Sequence, residues 1–428
     1  MPDPLPHKPG KWRAILDGEL RAKALETVAS IAAALEQELP SGTPRYAMQL
    51  AEQSLLNAYL GFGELGDRHF DLSSQFLERA IDAVAETPMR PSLYGGFVGV
   101  AWVLQHLQNH ELSSIEGDGS EEMDPNEQVD SVLRGYLAAE RWNDTYDLIS
   151  GLVGIGVYIA DRMPRPAAKE CFALVVKHLA KLAKPMEVGI TWWTPPEQLI
   201  AASREQHPQG HANLGVAHGV PAPIALLAQA CASGVSTADA SALLSRSLEW
   251  FLSQKSNDSA DSFFGYNYVL GSEWRPARAA WCYGDPGIAA ALLCAGRWTN
   301  DPALEREAIE IGLRATQRPA DKCGVVDSPL CHGSAGLGHL FNRMFQATGD
   351  RRFRESAVFW FERTLQMRRE GEGIAGFLSW RPGDGGWAAD RSLLAGATGI
   401  ALALLAAATP VEPSWDRILL ASVPPIDF

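Results

Sequence analysis

Apolar residues in this chain gather into blocks that share one kind of entrance. Six times, a small or polar residue is followed by Gly, two residues, usually a second Gly, and then an apolar run. The copies are Gly95-Gly96-Phe97-Val98-Gly99, Ser150-Gly151-Leu152-Val153-Gly154, His218-Gly219-Val220-Pro221-Ala222, Tyr283-Gly284-Asp285-Pro286-Gly287, His332-Gly333-Ser334-Ala335-Gly336 and Ala395-Gly396-Ala397-Thr398-Gly399. Only the third replaces its second Gly, with Ala222. Successive copies lie roughly 50–70 residues apart, room for two helices and their loops, and repetition at such a period marks an array of helical pairs.

The runs behind the glycines support two layers. Ile288 to Leu293 and Ile400 to Leu405 are apolar nearly all round, as helices buried on every side should be. Arg354 to Arg369 is amphipathic and charged, which suits an outer layer. Glycine at these helix starts permits a tight turn and close backbone approach. A degenerate first copy over Ala51 to Leu60, followed by Gly61 and Gly63, makes seven. The longest apolar run, Leu393 to Ala408, contains two glycines and is too short to span a bilayer, so it reads as a buried helix. Strand signals are sparse: Val188 to Trp193 suits one short strand that Pro195-Pro196 then stops. The stretch 184–213 reads as an irregular crossing that lines a cleft. The expectation is one all-α domain over 1–428 with its repeats at about 45–408. Periodicity leaves open whether the array closes into a ring.

Composition narrows the function classes. Of 428 residues 46% are hydrophobic and 21% charged, ordinary globular usage that excludes disorder along most of the chain. Against 51 Asp and Glu stand 37 Lys and Arg, a net charge of -14. Phosphate backbones demand clustered cations, so nucleic acid is not an expected partner. Between Glu111 and Asp130 acidic residues recur with no Lys or Arg, and Gly117, Gly119 and Pro125 fall among them. That run reads as a solvated loop, with docking of a basic peptide segment the other reading. The N-terminus has no secretory pattern, and six cysteines in a chain of this length are no disulfide framework, so a cytoplasmic protein with reduced thiols is expected.

Two turns begin with cysteine: Cys282-Tyr283-Gly284 and Cys331-His332-Gly333. In a closed array, two thiols and one imidazole at equivalent helix ends converge on one point. Three such ligands suit Zn²⁺ and leave the open position of a catalytic site. Buried cysteines are usually small hydrophobes, and Cys171, Cys231 and Cys294 in helical runs fit that reading. His218 occupies the same register as Tyr283 and His332, where it suits proton transfer, although a structural histidine fits as well. Asp147 suits either a carboxylate at the cavity or a helix cap. Arg278 either steadies negative charge or pairs with Asp147 or Asp285, the latter a helix-start residue.

Asn213-x-Gly215-x-Ala217-His218-Gly219, then Arg278-x-x-x-Cys282-Tyr283-Gly284, then Cys331-His332-Gly333, spread over these repeats, resemble the lanthionine cyclases (LanC-type proteins). Trp192 to Pro196 also looks like that family's stretch ahead of its histidine. The resemblance runs from about Ala51 to Leu405. It implies a double α/α barrel, an inner ring of seven helices inside seven more, with zinc at one mouth. The family's zinc ligands fall on Cys282, Cys331 and His332. Its acid/base histidine falls on His218, and its supporting residues on Asp147, Arg278 and Tyr283. Two departures stand out, Ala222 and the lost Gly-x-x-Gly of the first repeat, and neither touches a ligand. The implied reaction adds a peptide cysteine to dehydroalanine or dehydrobutyrine, giving lanthionine or methyllanthionine. Its substrate is a dehydrated precursor peptide. With the first repeat starting near residue 51, the dehydratase is expected to be a separate protein, and association with a membrane-bound biosynthetic complex is a further partner the resemblance suggests. Other LanC-like proteins suggest the alternative, a zinc protein that binds glutathione or another thiol without making rings. Protein prenyltransferases, which also activate a thiol at zinc, use a carboxylate ligand that the Cys331-His332 pair fits poorly. Barrel glycosidases need paired carboxylates, and none recur in register here.

Overall fold

The computed structural model describes residues 10–37, 44–112, 124–256, 261–269, 271, 274–381 and 386–427. Its first helices are α1 (Gly18–Leu35), α2 (Pro44–Phe62), α3 (Arg68–Glu86), α4 (Phe97–Leu112), α5 (Glu127–Leu137), α6 (Leu152–Asp161) and α7 (Pro166–Leu182). They continue as α8 (Ala201–Gln206), α9 (Pro221–Ala232), α10 (Thr237–Ser253), α11 (Asp285–Thr299), α12 (Pro302–Thr316), α13 (Ser334–Thr348), α14 (Arg351–Gln366) and α15 (Ala397–Ala408). Short antiparallel pairs join β1 (Ala183–Pro185) to β2 (Ile190–Trp192), β3 (Ala212–Asn213) to β4 (Asn267–Tyr268), and β5 (Ser379–Arg381) to β6 (Gly386–Ala388).

The helices that follow the glycine motifs form the inner wall. In order, α2, α4, α6, α9, α11, α13 and α15 each pack on the next, and α15 packs back on α2. The array is therefore closed, a point periodicity left open. Outside, α3, α7, α10, α12 and α14 back onto α2, α6, α9, α11 and α13. Helix α5 packs on α7, and Asn126 just ahead of it donates to the Ala101 carbonyl of α4. The outer partner of α15 is α1, from the other end of the chain. The segment before α1 also covers the last carbonyls of α15, with Ile15 N donating to Ala407 O and Trp12 Nε1 to Ala406 O. The fold is a double α/α barrel.

Backbone rather than side chains caps the inner helices. Gly154 N donates to Asp147 O, Gly287 N to Ala280 O, Ala335 N to Ser328 O and Ala397 N to Asp390 O. Each entry loop thus folds back over the first turn of its own helix, and the glycines make room for it. A Cβ at Gly287 would collide with the Trp281 carbonyl, and one at Gly284, where φ is +95°, with that of Arg278. The third repeat keeps the close approach at Gly219 and seats Ala222 in the buried first turn of α9.

A second set of bonds links loop to loop around the mouth. Tyr94 N reaches Ile149 O, Leu148 N reaches Ala217 O, Ala217 N reaches Cys282 O, Cys282 N reaches Cys331 O, and Cys331 N reaches Leu394 O. Tyr94, Ile149, Ala217, Cys282, Cys331 and Leu394 hold equivalent places ahead of their glycines. This girdle brings the two cysteines side by side. Below it the lumen is filled by the tail. The turn Ser414–Leu419 meets residues from around the ring: Tyr59 Oη accepts from Trp415 N, Tyr94 Oη donates to Ile418 O, and Trp281 Nε1 donates to Leu419 O.

Two expectations need correction. Residues 113–123 of the acidic run lie outside the described residues, but its end is not a solvated loop. Asp124 and Asp130 both pair with Arg162, whose side chain is fully buried, and Tyr158 Oη donates to Asp130 as well. The crossing over 184–213 is more regular than expected, holding the β1–β2 pair, a 3₁₀ turn at Pro196–Gln198 and α8. Among the described residues, no helix is long and apolar enough to cross a membrane.

Candidate active site

At the girdled mouth, the loops entering α11 and α13 bring Cys282, Cys331 and His332 together. One ligand atom from each lies within 4.8 Å of the others. Cys282 is buried, and Cys331 and His332 are half-buried. The Cys331 hydrogen bond holds Cys282 well below its ordinary value against the effect of burial, with His332 and Arg278 assisting. Cys331 is pushed up by the same bond and by burial. His332 is raised by its hydrogen bond to Cys282, burial opposing, with Asp327 adding to the rise. Two sulfurs and one imidazole, converging with a side open, are a donor set that can hold a metal ion.

The neighbouring loops bring an aspartate and a histidine together. His218 Nδ1 lies 2.6 Å from Asp147 Oδ2. Asp147 Oδ1 accepts the Ser150 amide at 2.8 Å, so one carboxylate serves the turn and the histidine at once. Asp147 lines the cavity and braces the turn at Ser150, and it does not cap α6, whose N-cap is Gly151. The His218 side chain is 45% exposed, that of Asp147 only 9%. They line a cavity of about 240 Å³ together with Thr145, Asn213 and Tyr283. A second cavity of about 690 Å³ shares Ser203, His211, Asn213 and Tyr283 with it and extends past Tyr266 to Arg275. The two form one groove. Burial raises the Tyr283 phenol to about 12, a bond from Asn213 opposing. Arg278 is half-buried; burial would lower its pKa, but the Tyr266 phenol and the two thiols outweigh that and raise it. Among the described residues it forms no ion pair with Asp147 or Asp285. The Asp285 carboxylate is taken up by Ser262 and the Phe263 and Phe264 amides.

Residues 55–420 match the family described as Lanthionine synthetase C-like protein. This chain belongs to that family. Nisin biosynthesis protein NisC from Lactococcus lactis subsp. lactis is 26% identical to it over 257 residues, a match that spans 58% of this chain and 60% of the relative. The solved structure of a protein named Nisin cyclase superposes with a TM-score of 0.67 at 21% identity, covering 95% of this chain and 98% of that one. That likeness is one of fold, and it agrees with the double barrel described above.

Within this lanthionine synthetase C-like barrel, three polar neighbours escaped the sequence reading as site residues. Asp327 Oδ2 lies 3.8 Å from His332 Nε2 and accepts the Trp380 amide. Tyr266 Oη accepts from the Arg278 amide at 3.1 Å, and its ring lies 5.4 Å from that of Tyr283. Asn213 donates to Tyr283 Oη. A signal for two of them was present. Asn213, Arg278 and Asp327 stand at one offset ahead of Gly219, Gly284 and Gly333, the offset at which the entry loop folds over its glycine.

Proposed function

We propose that this chain is a zinc-dependent lanthipeptide cyclase. It adds a peptide cysteine thiol to a dehydroalanine or dehydrobutyrine of the same peptide, forming a lanthionine or methyllanthionine ring. The observation that carries this reading is the meeting, at one mouth, of a Cys₂His donor set with the Asp147–His218 pair and the Tyr283 phenol, delivered by four separate entry loops. Family membership supports the same reading.

Cys282, Cys331 and His332 would hold the zinc and leave one position open. Bound there, zinc makes a thiol a thiolate near neutral pH. As the carbon–sulfur bond forms at the β-carbon, the electrons of the double bond move toward the α-carbon and its carbonyl oxygen. Arg278 and the Tyr283 hydroxyl face that growing charge. Asp147 holds His218 through Nδ1, which leaves Nε2 to deliver a proton to the α-carbon and so set its configuration. The groove past Tyr266 takes the rest of the peptide. The substrate is a precursor already dehydrated by a separate dehydratase.

Cyclisation leaves peptide mass unchanged, so the test counts thiols. A synthetic dehydrated peptide with one cysteine is incubated with zinc-loaded protein, then alkylated and weighed. Loss of the alkylable thiol with wild type but not with Cys331→Ala is expected. A substrate thiol that stays alkylable with folded, zinc-loaded wild type would sink the proposal.

A further inference from the structure

We infer that Asn213 is a positioning residue that fixes the direction of the Tyr283 hydroxyl, turning its proton toward the reaction groove. This rests on the cyclase reading above and adds a residue to it. The two ends of the Asn213 amide cannot be exchanged. Asn213 Oδ1 lies 2.9 Å from the Gly215 backbone nitrogen, which can only donate, so this end must be the carbonyl oxygen. The other end is then the NH₂ group, and it donates to Tyr283 Oη at 2.9 Å. Asn213 is 5% exposed, and its own backbone carbonyl accepts the Val220 amide at the start of α9. Bonds on the backbone carbonyl and on the side-chain carbonyl therefore hold it in place.

A phenol that accepts from an amide keeps one proton to give. Among the described residues no acceptor takes that proton, and Tyr283 lines both halves of the groove beside Asp147 and His218. The hydroxyl is thus a donor aimed where a carbonyl oxygen of the substrate would gain negative charge. Accepting a bond also polarises the O–H and makes it a stronger donor. Fixed donors of this kind act chiefly on the transition state, because the charge they meet is absent from the bound substrate.

The test is a cycle of four zinc-loaded proteins on one dehydrated peptide: wild type, Asn213→Asp, Tyr283→Phe and the double variant. Asn213→Asp keeps an acceptor for Gly215 but faces Tyr283 with a second acceptor, which draws the phenol proton away from the groove. The expected result is a kcat about tenfold lower with KM within about twofold. In the Tyr283→Phe background the same change should cost nothing further, because the group it acts through is gone. Equal rates for the double variant and Tyr283→Phe also show that the fold survives the substitution. Should Asn213→Asp fail to fold, Asn213→Ser, which also keeps an acceptor without forcing one on Tyr283, is expected to lower kcat by about threefold. Full kcat in a folded Asn213 variant, equal rates for wild type and Tyr283→Phe, or independent losses that multiply in the double variant would overturn the inference while leaving the cyclase reading standing. A wild type that forms no ring would overturn both.

Discussion

Two of the aspartate–histidine pairs in this barrel, one at the mouth and one in the lumen, have opposite surroundings. At the mouth His218 Nδ1 meets Asp147 Oδ2 at 2.6 Å, with nearly half of the imidazole facing the groove. In the lumen His339 Nε2 meets Asp416 Oδ2 at 2.9 Å, with neither side chain exposed. Asp416 also takes Arg343 Nε at 2.9 Å and Nη2 at 3.0 Å, and His339 stacks on Trp415. Burial alone would raise the Asp416 carboxyl, but Arg343 and His339 outweigh it and hold it below its ordinary value. The deep pair is buried and compensated, fit to clamp the tail inside the ring. Among the described residues, the pair at the mouth has no arginine on its carboxylate and one ring nitrogen left over. The pairing of residue types does not separate a proton-transfer group from a structural bond; what surrounds the pair does.

The two pairs separate most clearly when each is disabled in turn. His218→Ala is expected to lower ring formation by roughly 100- to 10,000-fold. Its denaturation midpoint should stay close to wild type, since half of the ring faces solvent. Arg343→Met should do the reverse. It leaves the buried Asp416 charge with His339 alone, which costs about 3–5 kcal/mol, read from urea unfolding, while the surviving folded protein keeps its rate. Asp147→Asn comes next. Its carbonyl can still accept the Ser150 amide, but its NH₂ then meets His218 Nδ1 and disfavours the charged imidazolium. A loss of roughly 10- to 100-fold in kcat with a small change in stability is expected.

The smallest effect is one of pH. A carboxyl held below its ordinary value contributes stability that is present above the unfolded pKa, about 3.8, and is lost as pH falls through the lower folded value. The stability gap between wild type and Asp416→Asn should therefore narrow as pH drops below about 4, in equilibrium unfolding followed across pH. A gap that widened in acid would reverse the assignment of Asp416 as a compensated anion.

How much of this was readable in the sequence follows from what each feature depends on. Cys282, Cys331, His332, His218 and Tyr283 were legible because they stand in register with the repeat, and register survives folding. Helix α1 was not singled out, although Ala24, Val28, Ile31 and Leu35 carry an apolar stripe, because its partner α15 lies at the far end of the chain. The plug at Ser414–Leu419 escaped for the same reason: nothing local announces that Trp415 and Asp416 belong in a lumen. The end of the acidic run misled because composition cannot register the buried Arg162 that Asp124 and Asp130 meet. Asn213 was visible within its motif, but which atom it holds is set by the approach of the loop entering α11.

The central claim is that the mouth is a metal-dependent thiol site, and metal content tests it most directly. Elemental analysis of purified wild type and Cys331→Ala is predicted to give about one zinc per chain in wild type and almost none in the variant, with the helical fold intact in both. A folded wild type that holds no zinc even after the metal is supplied, or a Cys331→Ala variant that keeps it in full, would contradict the account.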